Sequence, residues 1–178
     1  MGLKADLESA FQDTLDNGGS SDDLAVAITA AYEKSAKKAK DANKNTYSPI
    51  TFAPLESAIK ASFALCLNAK VIPLDLTFVS LSLVAVWLGA QITLPAKPPA
   101  PMTVVTTGLT LIPGFPLPVP PISGESDNID AIVSTFLTMF ENHAKTLTFN
   151  LVGFGPPSPA GVPVPIPAFP VPGGVTLK

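Results

Sequence analysis

The twenty-one residues from Leu76 to Ala96 carry no charge, and no other stretch limits the folding of this chain as strongly. A run of that length either crosses a bilayer or lies dry inside a protein or an assembly. Several residues favour burial in protein. Trp87 stands inside the run, whereas interfacial tryptophans stand at its ends. Pro73 and Asp75 precede the run and Pro95 closes it, which limits the helix to about sixteen residues, Asp75 to Ala90. That is near 24 Å, against a hydrocarbon core of about 30 Å. Ser80, Ser82, Gln91 and Thr93 add polar cost, and Lys60 and Lys70 against Lys97 give little bias in orientation. The run therefore reads as a buried helix followed by a strand, Gln91 to Leu94. The alternative is a membrane-inserted protein, holin-like or anchoring, spanning Leu76 to Leu94.

The rest of the composition bears on the same choice. Of 178 residues, 47% are hydrophobic and 14% charged, where about a quarter charged is usual. So few charges leave apolar surface for other subunits to cover. The net charge of −3 argues against a nucleic-acid partner, as does the lack of any arginine among the eleven basic residues. The single cysteine, Cys66, has no partner for an internal disulfide. The N-terminal residues are mixed in charge and amphipathic, unlike a secretory signal.

Periodicity predicts about five helices. Leu3, Leu7, Phe11 and Leu15 recur at spacing four over Met1 to Asp16, and Asn17-Gly18-Gly19 stops that helix. Ser21 is the expected N-cap of a second helix, with Asp22 and Asp23 at its positive end and Leu24, Ile28, Ala31 and Tyr32 as its stripe. Lys34, Lys37, Lys38 and Lys40 then read as a solvated C-terminal end, and Asp41 to Pro49 as a polar connection. Pro54 opens a third helix with Leu55, Ile59, Phe63 and Cys66 on one face. The charge-free run supplies the fourth. Ser126 to Lys145 is the fifth, capped by Ser126, with Ile129, Val133, Phe136 and Phe140 as its stripe, widened by Ile132, Leu137 and Met139. Thr146 to Phe154 reads as a strand.

Prolines dominate the remainder, with nine from Pro95 to Pro121 and eight from Pro156 to Pro172. In Pro116-Leu117-Pro118-Val119-Pro120 and in Pro163-Val164-Pro165-Ile166-Pro167, proline takes every second position. Successive N–H groups of an extended chain point to opposite edges, so such a segment keeps donors on one edge only. It can pair on one side and cannot template pairing on the other. An SH3-type ligand is the runner-up, weakened by the absence of a flanking basic residue; a linker is the third reading, but linkers are seldom so rich in Val, Ile, Leu and Phe. The order helix, strand, proline tract occurs twice at an offset of 55 residues (129 − 74 and 147 − 92), which suggests an internal repeat. The expected fold is mainly α with short strands and two extended proline-rich arms. Its segments are 1–70 (amphipathic helices), 71–122 (apolar helix, strand, first arm) and 123–178 (last helix, strand, second arm).

The inventory for chemistry is nearly empty. The chain has one histidine, one cysteine and no arginine, and it lacks nucleophile-elbow, phosphate-loop and zinc-ligand motifs. Asp22-Asp23 and the acids from Glu125 to Asp130 read as helix-start charges, and His143 as a partner of a helix C-terminus. The expectation is no enzyme, no cofactor, no metal and no small-molecule substrate. The residues expected to make contacts with other subunits are Leu83 and Trp87 of the apolar run, and Leu117, Val119, Val164, Ile166 and Phe169 of the arms.

One resemblance adds to this. Leu3-Lys4-Ala5-Asp6-Leu7-Glu8-Ser9-Ala10-Phe11, followed by Asp22 to Ala36 with its Leu-Ala, Ala-Ile, Tyr and Lys-Ser-Ala pattern, resembles small virion structural proteins of tailed bacteriophages. It covers about forty residues, and the chain departs from it by its second pair of apolar helices and its long arms. The resemblance implies a non-enzymatic virion subunit, of tail, baseplate or head–tail region, whose partners are copies of itself and other virion proteins. It carries over no site residues.

Overall fold

An apolar residue at every fourth position gives a helix one buried stripe, and α1 (Leu3–Asp16) follows that rule: Leu3, Leu7 and Phe11 are buried. The computed structural model describes residues 2–42, 44–69, 75–88, 90–93, 105–112, 129–157, 163–171 and 174–178. Of these, 66–69, 91–93, 105–112, 148–157 and 163–171 are described by backbone only. Leu15, the fourth member of the α1 stripe, lies past the core and is exposed. In α2 (Ser21–Ala36) the cap is Ser20 and not Ser21. Its hydroxyl accepts the Asp23 N–H at 3.2 Å, while the Asp23 carboxylate accepts the Ser20 N–H at 2.8 Å. This reciprocal box satisfies two end donors at once, which a cap at Ser21 would forgo. It also holds the Asp23 carboxyl below its usual range.

The connection expected as polar coil is a hairpin instead. β1 (Ala39–Lys40) pairs antiparallel with β2 (Thr46–Ser48), and β2 with β3 (Gln91–Thr93). The turn is fastened from within. The buried Asp41 carboxylate accepts from the Asn45 backbone N–H (2.9 Å), Asn45 Nδ2 (2.8 Å) and Tyr47 Oη (2.9 Å). Polar residues here mark an internal network, and composition alone does not separate that from a solvated loop.

α3 (Ala53–Ala69) buries Leu55 and Ile59, α4 (Thr77–Trp87) buries Val79, Leu83, Val86 and Trp87, and α5 (Ile129–Thr146) buries Val133, Phe136, Met139 and Phe140. Neighbouring helices pack as α1–α2, α2–α3 and α3–α4, and α5 closes the bundle against α1 and α4. A row of rings runs through the centre: Phe11–Phe136 at 6.1 Å, Phe136–Phe140 at 5.8 Å, Phe140–Tyr32 at 4.3 Å and Tyr32–Phe52 at 6.1 Å. One apolar cluster draws on residues from all three segments that the sequence suggests. The architecture is mainly α, with five helices among the described residues.

A second antiparallel sheet has the order β4 (Val105–Ile112), β5 (Thr148–Pro157), β6 (Pro163–Val171). β4 and β6 both fall within the proline-rich tracts. The order helix-then-strand does recur (α4–β3, α5–β5), but the two strands enter different sheets: β3 joins β2, whereas β5 lies between β4 and β6.

The last residues return to the body and are not part of an arm. The Gly174 N–H donates to the Leu147 carbonyl (2.7 Å), the Val175 N–H to the Ala144 carbonyl (2.9 Å), and Thr176 exchanges bonds with Lys40. Val175 is buried in the common core. Gly174 is needed at this junction: its φ is +92°, and a Cβ there would stand 2.9 Å from the Lys145 carbonyl oxygen.

Candidate functional site

α4 is apolar on every side, so its sequence has no stripe to say which face looks inward. Packing decides it. Leu83 and Trp87, expected to contact other subunits, point into the chain's own core and are fully buried. The Trp87 indole N–H donates to Tyr32 Oη at 2.8 Å, which gives its polar edge a partner inside the bundle. The same burial pushes the Tyr32 hydroxyl well above its usual pKa, although the bond from Trp87 pulls the other way.

The opposite face carries the exposed residues. Phe78 (55% exposed), Leu81 (48%), Ala85 and Leu88 (60%) follow one another at helical spacing along α4 and its C-cap. α3, which packs against α4, adds Leu65 at 59%. The exposed residues of α4 were not legible as contacts, because a helix that is apolar all round has no periodic signal to orient it.

The second sheet has two unlike edges, and the register shows which groups point where. Proline has no N–H, so the Asn150–Pro170 and Phe154–Pro165 pairs are the non-bonded kind, in which backbone groups point away from the partner strand. Pro165, Pro167 and Pro170 thus face outward from β6, while Ile166, Phe169 and Val171 face β5. Val164, one residue from Pro165, faces β5 with them. The parity of the prolines changes between 167 and 170. The strand accommodates this with an irregularity between the Ile166 and Phe169 pairs, where three steps along β6 oppose two along β5. One inserted residue keeps every proline of β6 on the outer edge. Leu117 and Val119 lie outside the described residues.

No family model, curated protein or solved structure matches the chain.

The other residues considered for chemistry sit in structural places. His143 lies in the last turn of α5, as expected, and is buried there. Asp23 belongs to the cap of α2, and Asp130 to the first turn of α5. Tyr47 is pushed up in pKa, first by burial and then by the hydrogen bond and charge of Asp41, which makes it a fastener of the β1–β2 turn. Among the described residues no group of three or more His, Cys, Asp or Glu is placed to hold a metal ion. The side chain of Cys66 lies outside what is described. Among the described residues, the surface features that stand out are the exposed apolar face of α4 and the β4 edge of the second sheet.

Proposed function

We propose that this chain is a non-enzymatic structural subunit, docking into a larger assembly through the outer face of α4. The observation that carries this is the row Phe78, Leu81, Ala85 and Leu88, exposed on a helix whose other face already fills the core. An apolar stripe held on a rigid helix is a surface built to be covered. The N-terminal resemblance makes a phage-like virion the assembly, with tail, baseplate and neck all compatible. The partners are then copies of the chain and other virion proteins, with no nucleic acid and no small-molecule substrate.

The test replaces the stripe without touching the core. Phe78→Lys, Leu81→Lys and Leu88→Lys together keep every buried residue of α4, so thermal stability changes little, while assembly through α4 and incorporation into particles are lost. A triple variant that assembles like the parent overturns the proposal.

A membrane-inserted reading through Leu76 to Leu94 draws on the same face. Against it, α4 has eleven residues, about 16 Å of helix. Among the described residues no helix is long and apolar enough to cross a membrane. Carbonate extraction separates the two: a chain that resists extraction from membranes is inserted, and one released as a self-associating protein is not.

A further inference from the structure

The edges of the second sheet differ in a way that the docking face of α4 does not explain. The outer edge of β6 is closed, since Pro165, Pro167 and Pro170 face it and none has an N–H to offer. The other edge belongs to β4, Val-Thr-Thr-Gly-Leu-Thr-Leu-Ile, which has no proline and no charge. Among the described residues no strand pairs with that edge. Edge strands that must stay single carry charges, prolines or bulges as protection. Here one edge has that protection at every outward position, whereas β4 has no charge and no proline, and its single irregularity, between Val105 and Gly108, leaves Gly108 to Ile112 in regular register.

The register identifies the open groups. Because Asn150 turns away from Pro170, its N–H and carbonyl face β4, so Asn150–Thr110 is a bonded pair. Leu109 and Leu111, on either side of Thr110, therefore aim their backbone N–H and carbonyl groups at the open edge.

We propose that two copies of this chain join antiparallel through their β4 edges, about a twofold axis at Thr110. In that register Leu109 of one copy exchanges both backbone bonds with Leu111 of the other, and the reverse pair does the same. A strand with a charge near the axis would meet the same charge in its copy; β4 has none to repel. The joined sheet runs β6-β5-β4-β4-β5-β6, and both of its outer edges are closed by proline. Growth stops at two copies, which a sheet with an ordinary β6 edge would not ensure. The inference does not depend on what α4 docks against.

Two variants of the full chain test it. Leu109→Pro with Leu111→Pro removes the outward donors and leaves the groups that face β5. Sedimentation should show dimerisation weakened nearly a thousandfold, as expected for losing four bonds of about 1 kcal/mol each. Thr110→Cys in a Cys66→Ser background places a thiol opposite its own copy at a closely spaced non-bonded pair, and mild oxidation should yield a covalent dimer. Ser9→Cys, at an exposed position of α1, serves as the control and should not. A parent chain that is monomeric at high concentration, or a Thr110→Cys chain that stays unlinked like the control, overturns the proposal. The α4 lysine variant distinguishes the two interfaces: it should lose higher assembly and still give the Thr110→Cys dimer.

Discussion

The bond from Trp87 to Tyr32 offers the sharpest test of how the apolar run is held. Both residues are fully buried, and the 2.8 Å contact satisfies the indole N–H in a site that water does not reach. Tyr32→Phe leaves that N–H without its acceptor, at a cost of about 1–3 kcal/mol. Trp87→Phe strands the Tyr32 hydroxyl and also removes one ring from the core, so about 2–4 kcal/mol is expected. The double variant removes donor and acceptor together and keeps only the packing loss. It should therefore be less destabilised than the sum of the singles by about 1–2 kcal/mol. Against a total stability of about 5–15 kcal/mol for a domain, these shifts are large enough to read in urea. Far-UV circular dichroism is the suitable probe, because Trp87 is the chain's only tryptophan. In the parent, its fluorescence should be blue-shifted and shielded from acrylamide without lipid. Single and double effects that add within about 0.3 kcal/mol would refute the reasoning, since a hydrogen bond shared by two buried groups cannot give additive losses.

Other expectations follow from the same structure. Ser20→Ala opens the capping box of α2 and should cost about 1 kcal/mol in a thermal or chemical melt. Removing Gly174 to Lys178 takes Val175 out of the core and breaks the backbone bonds to Leu147, Ala144 and Lys40; about 2–4 kcal/mol should be lost in a urea melt, burial of one valine supplying most of it. Gly174→Ala should destabilise in the same direction, because the left-handed φ and the Lys145 carbonyl both exclude a Cβ. Tyr32 and Tyr47 have pKa values raised in the folded chain. Their contribution is therefore fully present below the unfolded value of about 10 and is lost as pH rises beyond it. Stability followed by urea melts should fall steeply on the alkaline side, and a Tyr32→Phe Tyr47→Phe chain should show a shallower fall.

Local chemistry alone determined much of this chain. Spacing of four places Leu3, Leu7 and Phe11 on one line, so α1 has one way to turn. Spacings of three and four do the same for Val133, Phe136 and Phe140 in α5. Prolines at 163, 165 and 167 leave donors on one edge of an extended segment whatever that segment meets. Tertiary structure decided what has no period. α4 is apolar on all sides, and only the position of Tyr32 across the bundle turns Trp87 inward and leaves Phe78 and Leu88 outside. The β1–β2 turn depends on Asp41 reaching Asn45 and Tyr47, a contact that polar composition does not distinguish from solvation. The C-terminal residues looked like the end of an arm because Val175 alone has no pattern around it. Its place in the core exists only once α5 and β1 have brought the Ala144 and Lys40 backbones to meet it.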